Sequence, residues 1–106
     1  GVYTFVVQPR IAQHPYCSYL VYVGKAAGTE GFKARYRYYL GQLTASETDR
    51  PLVRRMVRKW HEYLWFCFAE VPDSEIDRTE GALLEAFLPP INKEFPGEVG
   101  DAIKAF

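Results

Sequence analysis

The 106-residue sequence has few of the features that announce a function on their own. Cysteine is scarce: Cys17 and Cys67 lie far apart and make no disulfide framework. With no signal-peptide pattern at the start, they point to a reducing, cytoplasmic setting. No apolar run approaches the ~20 residues that a membrane span needs, so no membrane role is expected. Internal repeats and low-complexity stretches are missing too. So are the nucleophile elbow G-x-S-x-G, the Walker loop, the H-E-x-x-H helix and a glycine-rich nucleotide fingerprint, which removes the commonest ready-made hydrolase and nucleotide-binding readings. His14 and Cys17 stand at a ligand-like spacing, and His61 and Cys67 could join them. Neither pair has the tight spacing of a structural zinc site.

What is present is an ordinary globular composition, 48% hydrophobic and 25% charged, with an unusually high aromatic share of 16%. The length suits a single domain over residues 1–106. Formal net charge is zero, but the charges are segregated. Residues 33–61 carry eight basic side chains against two acidic, and residues 62–106 three basic against ten acidic. A basic middle of this kind admits a polyanionic partner; a solvated helix surface is the plainer alternative.

Periodicity supplies a coarse architecture. "VYTFVV" (2–7) and "SYLVYV" (18–23) read as strands of a hairpin, joined by the proline-containing loop "QPRIAQHPYC". In the second strand, strict alternation places Tyr22 with Leu20 and Tyr19 with Val21 and Val23, and Gly24 should end the strand. A helix is expected from about Gly31 to Leu43, its apolar face formed by Phe32, Tyr36, Tyr39, Leu40 and Leu43. A second helix should start near Pro51 and run to about His61. Leu52, Met56 and Trp60 mark one face of it, and Arg54, Arg55, Arg58 and Lys59 crowd the rest. "YLWFCFAEV" (63–71) reads as a strand buried on both faces, with Cys67 at home in it as a small apolar residue. A third helix over about Asp77–Leu88 is stopped by Pro89 and Pro90, and a short helix is expected in "GEVGDAIKAF". The predicted fold is a small α+β domain, a three-stranded antiparallel sheet made of the hairpin and one more strand, flanked by helices.

Three residues break these patterns. Glu80 falls on the apolar stripe of the third helix, with Ile76, Leu83, Leu84 and Phe87. A carboxylate there is costly unless it is paired or binds a metal; the competing reading is a capping box, Asp77 to Glu80, at the helix start. Gly81 weakens that helix by ~1 kcal/mol relative to alanine and suggests a packing or access requirement. Arg35 borders the apolar stripe of the first helix between Phe32 and Tyr39. It either snorkels to solvent or presents its planar fork to phosphate oxygens.

Taken in order, "GVY" (1–3), "YVGKA" (22–26), "FKAR" (32–35), Tyr39, Glu80 and "PPIN" ending at Asn92 resemble the GIY-YIG nuclease family. The N-terminal nuclease domain of UvrC-type excision-repair proteins is the branch they are most similar to. The resemblance runs from Gly1 to Asn92. It implies a compact nuclease domain that cuts DNA phosphodiesters with one divalent cation, Mg²⁺ or Mn²⁺. Carried over by motif, Tyr3, Tyr22, Lys25, Arg35, Tyr39, Glu80 and Asn92 form the catalytic set, and Glu80 is the metal ligand. Lys33, Arg37, Arg54, Arg55, Arg58 and Lys59 are then expected to contact nucleic-acid phosphates. DNA is the expected partner, with RNA second, and a targeting domain or partner protein would supply target choice. A tyrosine is a poor base until cations lower its pKa; Tyr3, set beside metal and cationic side chains, is expected in that role, with Tyr22 orienting water. Two features depart from the family pattern. Eighteen residues separate Tyr3 from Tyr22, a long gap that falls in the loop Gln8–Cys17. The position one turn after Arg35 is Tyr39 rather than histidine. The alternative reading is a non-catalytic nucleic-acid-binding or interaction module that retains the fold.

Overall fold

The computed structural model describes residues 1–8 and 18–96. The chain order is β1 (Val2–Val7), β2 (Tyr19–Lys25), α1 (Gly28–Gly41), α2 (Pro51–Trp60), β3 (Leu64–Ala69) and α3 (Asp73–Phe87). All strand pairings are antiparallel in a three-stranded sheet of order β2-β1-β3. The expected α+β architecture is therefore the observed one. Most of the hairpin loop and the tail from residue 97, with the helix expected there, lie outside the described residues, as do His14 and Cys17. Among the described residues no helix is long and apolar enough to cross a membrane.

The sheet divides the core in two. On one face Tyr3, Phe5, Phe32, Tyr39, Val53, Met56 and Val57 pack together, joining β1 to α1 and α2. On the other, Val2 and Val23 meet Leu84 of α3, with Ile76 and Leu83 against them. The buried positions of α2 are Val53, Met56 and Val57, spaced i, i+3, i+4. The stripe is thus rotated from the expected one, and Leu52 is exposed. Pro51 opens α2, where its missing N–H costs nothing, and Arg58 and Lys59 sit in its last turn, where cations suit the helix dipole.

β2 departs from strict alternation. The register to β1 shifts between Phe5 and Val6, leaving Val21 as the extra residue of a bulge. Leu20 packs with the α3 cluster, whereas Val21 and Tyr22 both belong to the α1–α2 cluster. The expected pairing of Tyr22 with Leu20 is corrected accordingly: Tyr22 lies on the face that Tyr3 occupies, and the bulge turns Leu20 to the other. Gly24 does not end the strand either. It lies within β2, opposite Tyr3.

β3 is an edge strand, not a strand buried on both faces. α3 packs on β2 and β1 and leaves β3 uncovered on that side. Trp65 and Cys67 are exposed there, and Cys67 is a free thiol. On the opposite side α1 stands off the sheet. The groove between them, about 610 Å³, is lined by Phe32, Tyr36, Leu40, Phe66 and Phe68 among others. Tyr36 and Leu40, expected in the core, form its exposed wall.

α3 ends on a left-handed residue, Leu88, at φ 46°. Its N–H closes on the Leu84 carbonyl, and two prolines forbid any continuation. Pro89 is buried at this corner. The corner sends the following residues back along the free edge of β2, which sets up the site.

Candidate functional site

The helix boundary decides the status of Glu80. α3 begins at Asp73, not Asp77, so Glu80 sits in mid-helix and the capping-box reading fails. The carboxylate is half-buried on the wall of a cleft of about 350 Å³, which it shares with Tyr22, Arg50, Leu84 and Asn92. Burial raises its pKa above the ordinary carboxylate value and Asp77 adds to this, while Lys25 opposes both. Gly81, beside it, has open space around it apart from Pro96, whose Cγ would meet an added Cβ at an ordinary 3.7 Å.

Asn92 closes one end of the cleft. Its Oδ1 accepts from the Val23 N–H at 2.9 Å and its Nδ2 donates to the Val23 carbonyl at 2.8 Å. Ile91 N–H donates to the Val21 carbonyl at 3.1 Å. The side-chain amide thus acts as one more residue of a strand, satisfying backbone groups that β2 would otherwise leave bare at the sheet edge. Asn92→Ala removes both bonds at once. The expected cost is about 1–3 kcal/mol, read in urea unfolding, together with faster amide exchange at Val23. An unchanged Val23 amide would count against this anchoring role.

Tyr22 lines the cleft, and the Arg50 guanidinium donates to its hydroxyl at 2.6 Å. Tyr3 and Tyr39 lie deeper. Their hydroxyls share a 2.7 Å hydrogen bond, each residue is only 2% exposed, and both rings pack against Phe5. Neither lines the cleft. Burial pushes Tyr3 up to about 12, against the lowering by its bond to Tyr39 and by the charges of Arg35 and Arg50. Tyr39 is raised as well, by burial first and then by Tyr3. Among the protein's own groups, desolvation of Tyr3 outweighs the lowering by Arg35 and Arg50. Tyr3 also accounts for Gly24, since a Cβ built there would lie 2.3 Å from the Tyr3 ring. The segments Gly1–Tyr3 and Tyr22–Gly24 interlock, Tyr3 lying over Gly24.

The remaining expected residues divide. Lys25 is exposed and donates to Asp77 at 2.8 Å, one turn before Glu80 on α3; that bond, first, and then the charge of Glu80 raise its pKa. Arg35 is exposed, with its charge acting on Tyr3. Lys33 bonds Glu30 at 3.4 Å on the surface and lines the apolar groove, and Arg37 is exposed. Arg54 and Arg58 have structural work. Arg54 donates to the Ser46 carbonyl at 3.3 Å. Arg58 donates to Gln42 O at 3.1 Å and to Ala45 O, clamping the α1–α2 connection. Arg55 is exposed, and Lys59 sits over the Trp60 ring. His61 is exposed beside the Arg58 carbonyl. Among the described residues, no three His, Cys, Asp or Glu side chains are grouped to hold a metal ion.

Arg50 escaped the sequence reading. Nothing separates it there from seven other basic residues in the same stretch. The only signal was Pro51, which fixes residue 50 as the last before α2 and so places it at a defined corner. The structure brings together Tyr22, Glu80 and Asn92 with Arg50. Tyr3 and Tyr39 pack against Tyr22, Lys25 reaches Asp77 one turn before Glu80, and no α2 cation lines the cleft. Compared with family models, curated proteins and solved structures, the chain matches none.

Proposed function

We propose that this chain is a divalent-metal-dependent endonuclease domain that hydrolyses DNA phosphodiesters at one site. The observation that carries the reading is Glu80: a half-buried carboxylate in mid-helix, facing a cleft with Tyr22, Arg50 and Asn92. Phosphodiester hydrolysis needs a positioned water and compensation of charge on the phosphoryl oxygens. The donor set fits Mg²⁺ or Mn²⁺, hard ions that take carboxylate oxygen and retain several waters, so that one protein carboxylate suffices. Glu80 would hold the cation, which supplies Lewis-acid stabilisation of the phosphoryl oxygens when bound. The raised pKa of Glu80 supports this, because a cation offsets the cost of ionising a half-buried carboxylate.

The chain's own groups supply the rest. Tyr22, which lines the cleft, orients or deprotonates the attacking water, and Tyr3 and Tyr39 pack against its ring. Lys25 binds phosphate by exchanging its exposed Asp77 partner, since a solvent-screened surface ion pair is weakly held. Arg35, on the exposed side of α1, adds positive charge near the tyrosines. Asn92 keeps the cleft closed at its end.

The test is a supercoiled plasmid incubated with Mg²⁺ or Mn²⁺, and with EDTA in parallel. Nicking that EDTA abolishes is expected. Gel-shift binding without nicking under either metal would overturn the enzyme and leave the binding module. Within this reading the α2 cations separate by role. Arg55→Ala should weaken DNA binding across sequences and lower the salt slope by about one. Arg58→Ala should leave the slope nearly unchanged and instead cost about 1.5–3 kcal/mol of stability, because it frees the Gln42 and Ala45 carbonyls. Equal salt slopes for the two variants would refute the division.

A further inference from the structure

Among the described arginines, Arg50 stands apart in what surrounds it. Its guanidinium lies 5.6 Å from the centre of the Tyr22 ring and 5.7 Å from that of Tyr38. One of its nitrogens donates to the Tyr22 hydroxyl at 2.6 Å. Its own backbone N–H is held by the Thr48 hydroxyl at 3.0 Å, and Pro51 follows, so the residue has little freedom to leave. It is half-buried and lines the same cleft as Glu80 and Asn92.

A guanidinium has only donors. When it bonds the Tyr22 oxygen it occupies an acceptor site of that hydroxyl and directs the remaining hydrogen elsewhere. The other groups around Tyr22 are Tyr3 on β1, Tyr39 on α1, Glu80 on α3, and Lys93 and Glu94 beyond α3. Tyr3 and Tyr39 share one bond, in which only one of the two hydroxyls donates, and Tyr39 also lies within reach of Tyr22 and Arg50. We infer that Arg50 is the positioning residue of Tyr22: clamped between two tyrosine rings, it occupies an acceptor site of the Tyr22 hydroxyl and so fixes the direction in which that hydroxyl offers its hydrogen and remaining lone pair. This assignment rests on the nuclease reading for its consequence and on the 2.6 Å bond for its existence.

The two can be tested separately. The contact is tested without activity, by urea unfolding of Arg50→Met, Tyr22→Phe and the double variant. The double variant should lose clearly less than the two single losses added together, because the second change removes a partner already missing. Additive losses would show that the pair is not coupled and would overturn the assignment, even if the chain nicks DNA well. The consequence is tested by nicking kinetics. Arg50→Met should lower kcat on the order of 10²-fold, the scale of a proton-transfer group, with KM and gel-shift affinity within about twofold of the parent. The double variant should be no slower than Tyr22→Phe alone, and Arg50→Lys should recover part of the loss. A variant whose loss lies in KM and affinity would make Arg50 a direct phosphate contact and overturn its role through Tyr22. If the parent chain nicks nothing, the nuclease reading falls, and the unfolding cycle alone decides whether Arg50 holds Tyr22.

Discussion

Glu80→Gln is expected to abolish metal-dependent nicking and, at neutral pH, to raise the melting temperature. The first effect follows from removing the half-buried carboxylate of the cleft wall, the other, Glu94, being exposed; a loss of at least ~10²–10³-fold is the scale for removing an electrostatic group from a reacting centre. The second follows from the direction of the pKa shift. Burial, and then Asp77, disfavour the ionised form in the folded chain, and Lys25 only partly opposes them. A carboxyl whose folded pKa lies above its unfolded value contributes stability at acid pH that is lost as pH rises through the folded value. At neutral pH the parent therefore carries the cost of a charged, half-buried Glu80, and glutamine does not. The difference in melting temperature should be largest near neutrality and shrink as the solution is acidified below the carboxylate range. Nicking that survives in Glu80→Gln would sink the site assignment. Melting curves that coincide at every pH would show that Glu80 is solvated at no cost, which the cleft does not predict.

The largest expected loss of stability is at Gly24. An added methyl would stand 2.3 Å from Cζ and 2.4 Å from the hydroxyl oxygen of Tyr3, with a third ring atom at 2.7 Å. That ring has nowhere to go. It is bonded to Tyr39 and meets Phe66 at 5.2 Å between ring centres, with Tyr22 at 6.3 Å. Overpacking of a filled core costs about 1–3 kcal/mol. Displacing the ring also strands the buried Tyr39 hydroxyl, for about another 1–3 kcal/mol. Gly24→Ala should therefore lose roughly 2–6 kcal/mol in urea unfolding, much of the stability of a small domain, which is typically ~5–15 kcal/mol in all. A change under about 0.5 kcal/mol would mean that the strands part easily at this point, contrary to the interlock.

The sequence was most legible where one element obeys one rule. Strand and helix identities, their order and the three-stranded sheet all followed from periodicity, and the proline stop at Pro89 fell where expected. It was least legible where a long-range neighbour decides. β3 has a fully apolar sequence, yet whether such a strand is central or at an edge depends on which elements cover it, and α3 covers β2 and β1 instead. The bulge at Val21 breaks alternation without leaving a compositional mark, so the sidedness of β2 was misread. Glu80 was singled out correctly as an anomaly, but its capping alternative could be dismissed only by locating the helix start four residues earlier. Tyr3 was singled out by its motif, but the burial that works against its cationic neighbours is something sequence does not report. Arg50 was invisible for the same reason, since its two tyrosine partners lie in other elements.

The position of β1 at the middle of the sheet also sets an order in time. Its pairing with β2 closes a short connection, from Val7 to Tyr19, whereas its pairing with β3 spans from Val7 to Leu64. The longer closure is roughly two doublings of length and costs about 1.3 kcal/mol more chain entropy. Contacts of the first kind are therefore expected to be made in the rate-limiting step, and those of β3 after it. Substitutions in the β1–β2 ladder should slow refolding, while truncation of Phe66 should chiefly hasten unfolding. The cleft draws its walls from β2, the turn before α2, α3 and the segment beyond it. It would then be among the last features of the chain to exist, complete only when Asn92 has closed on Val23.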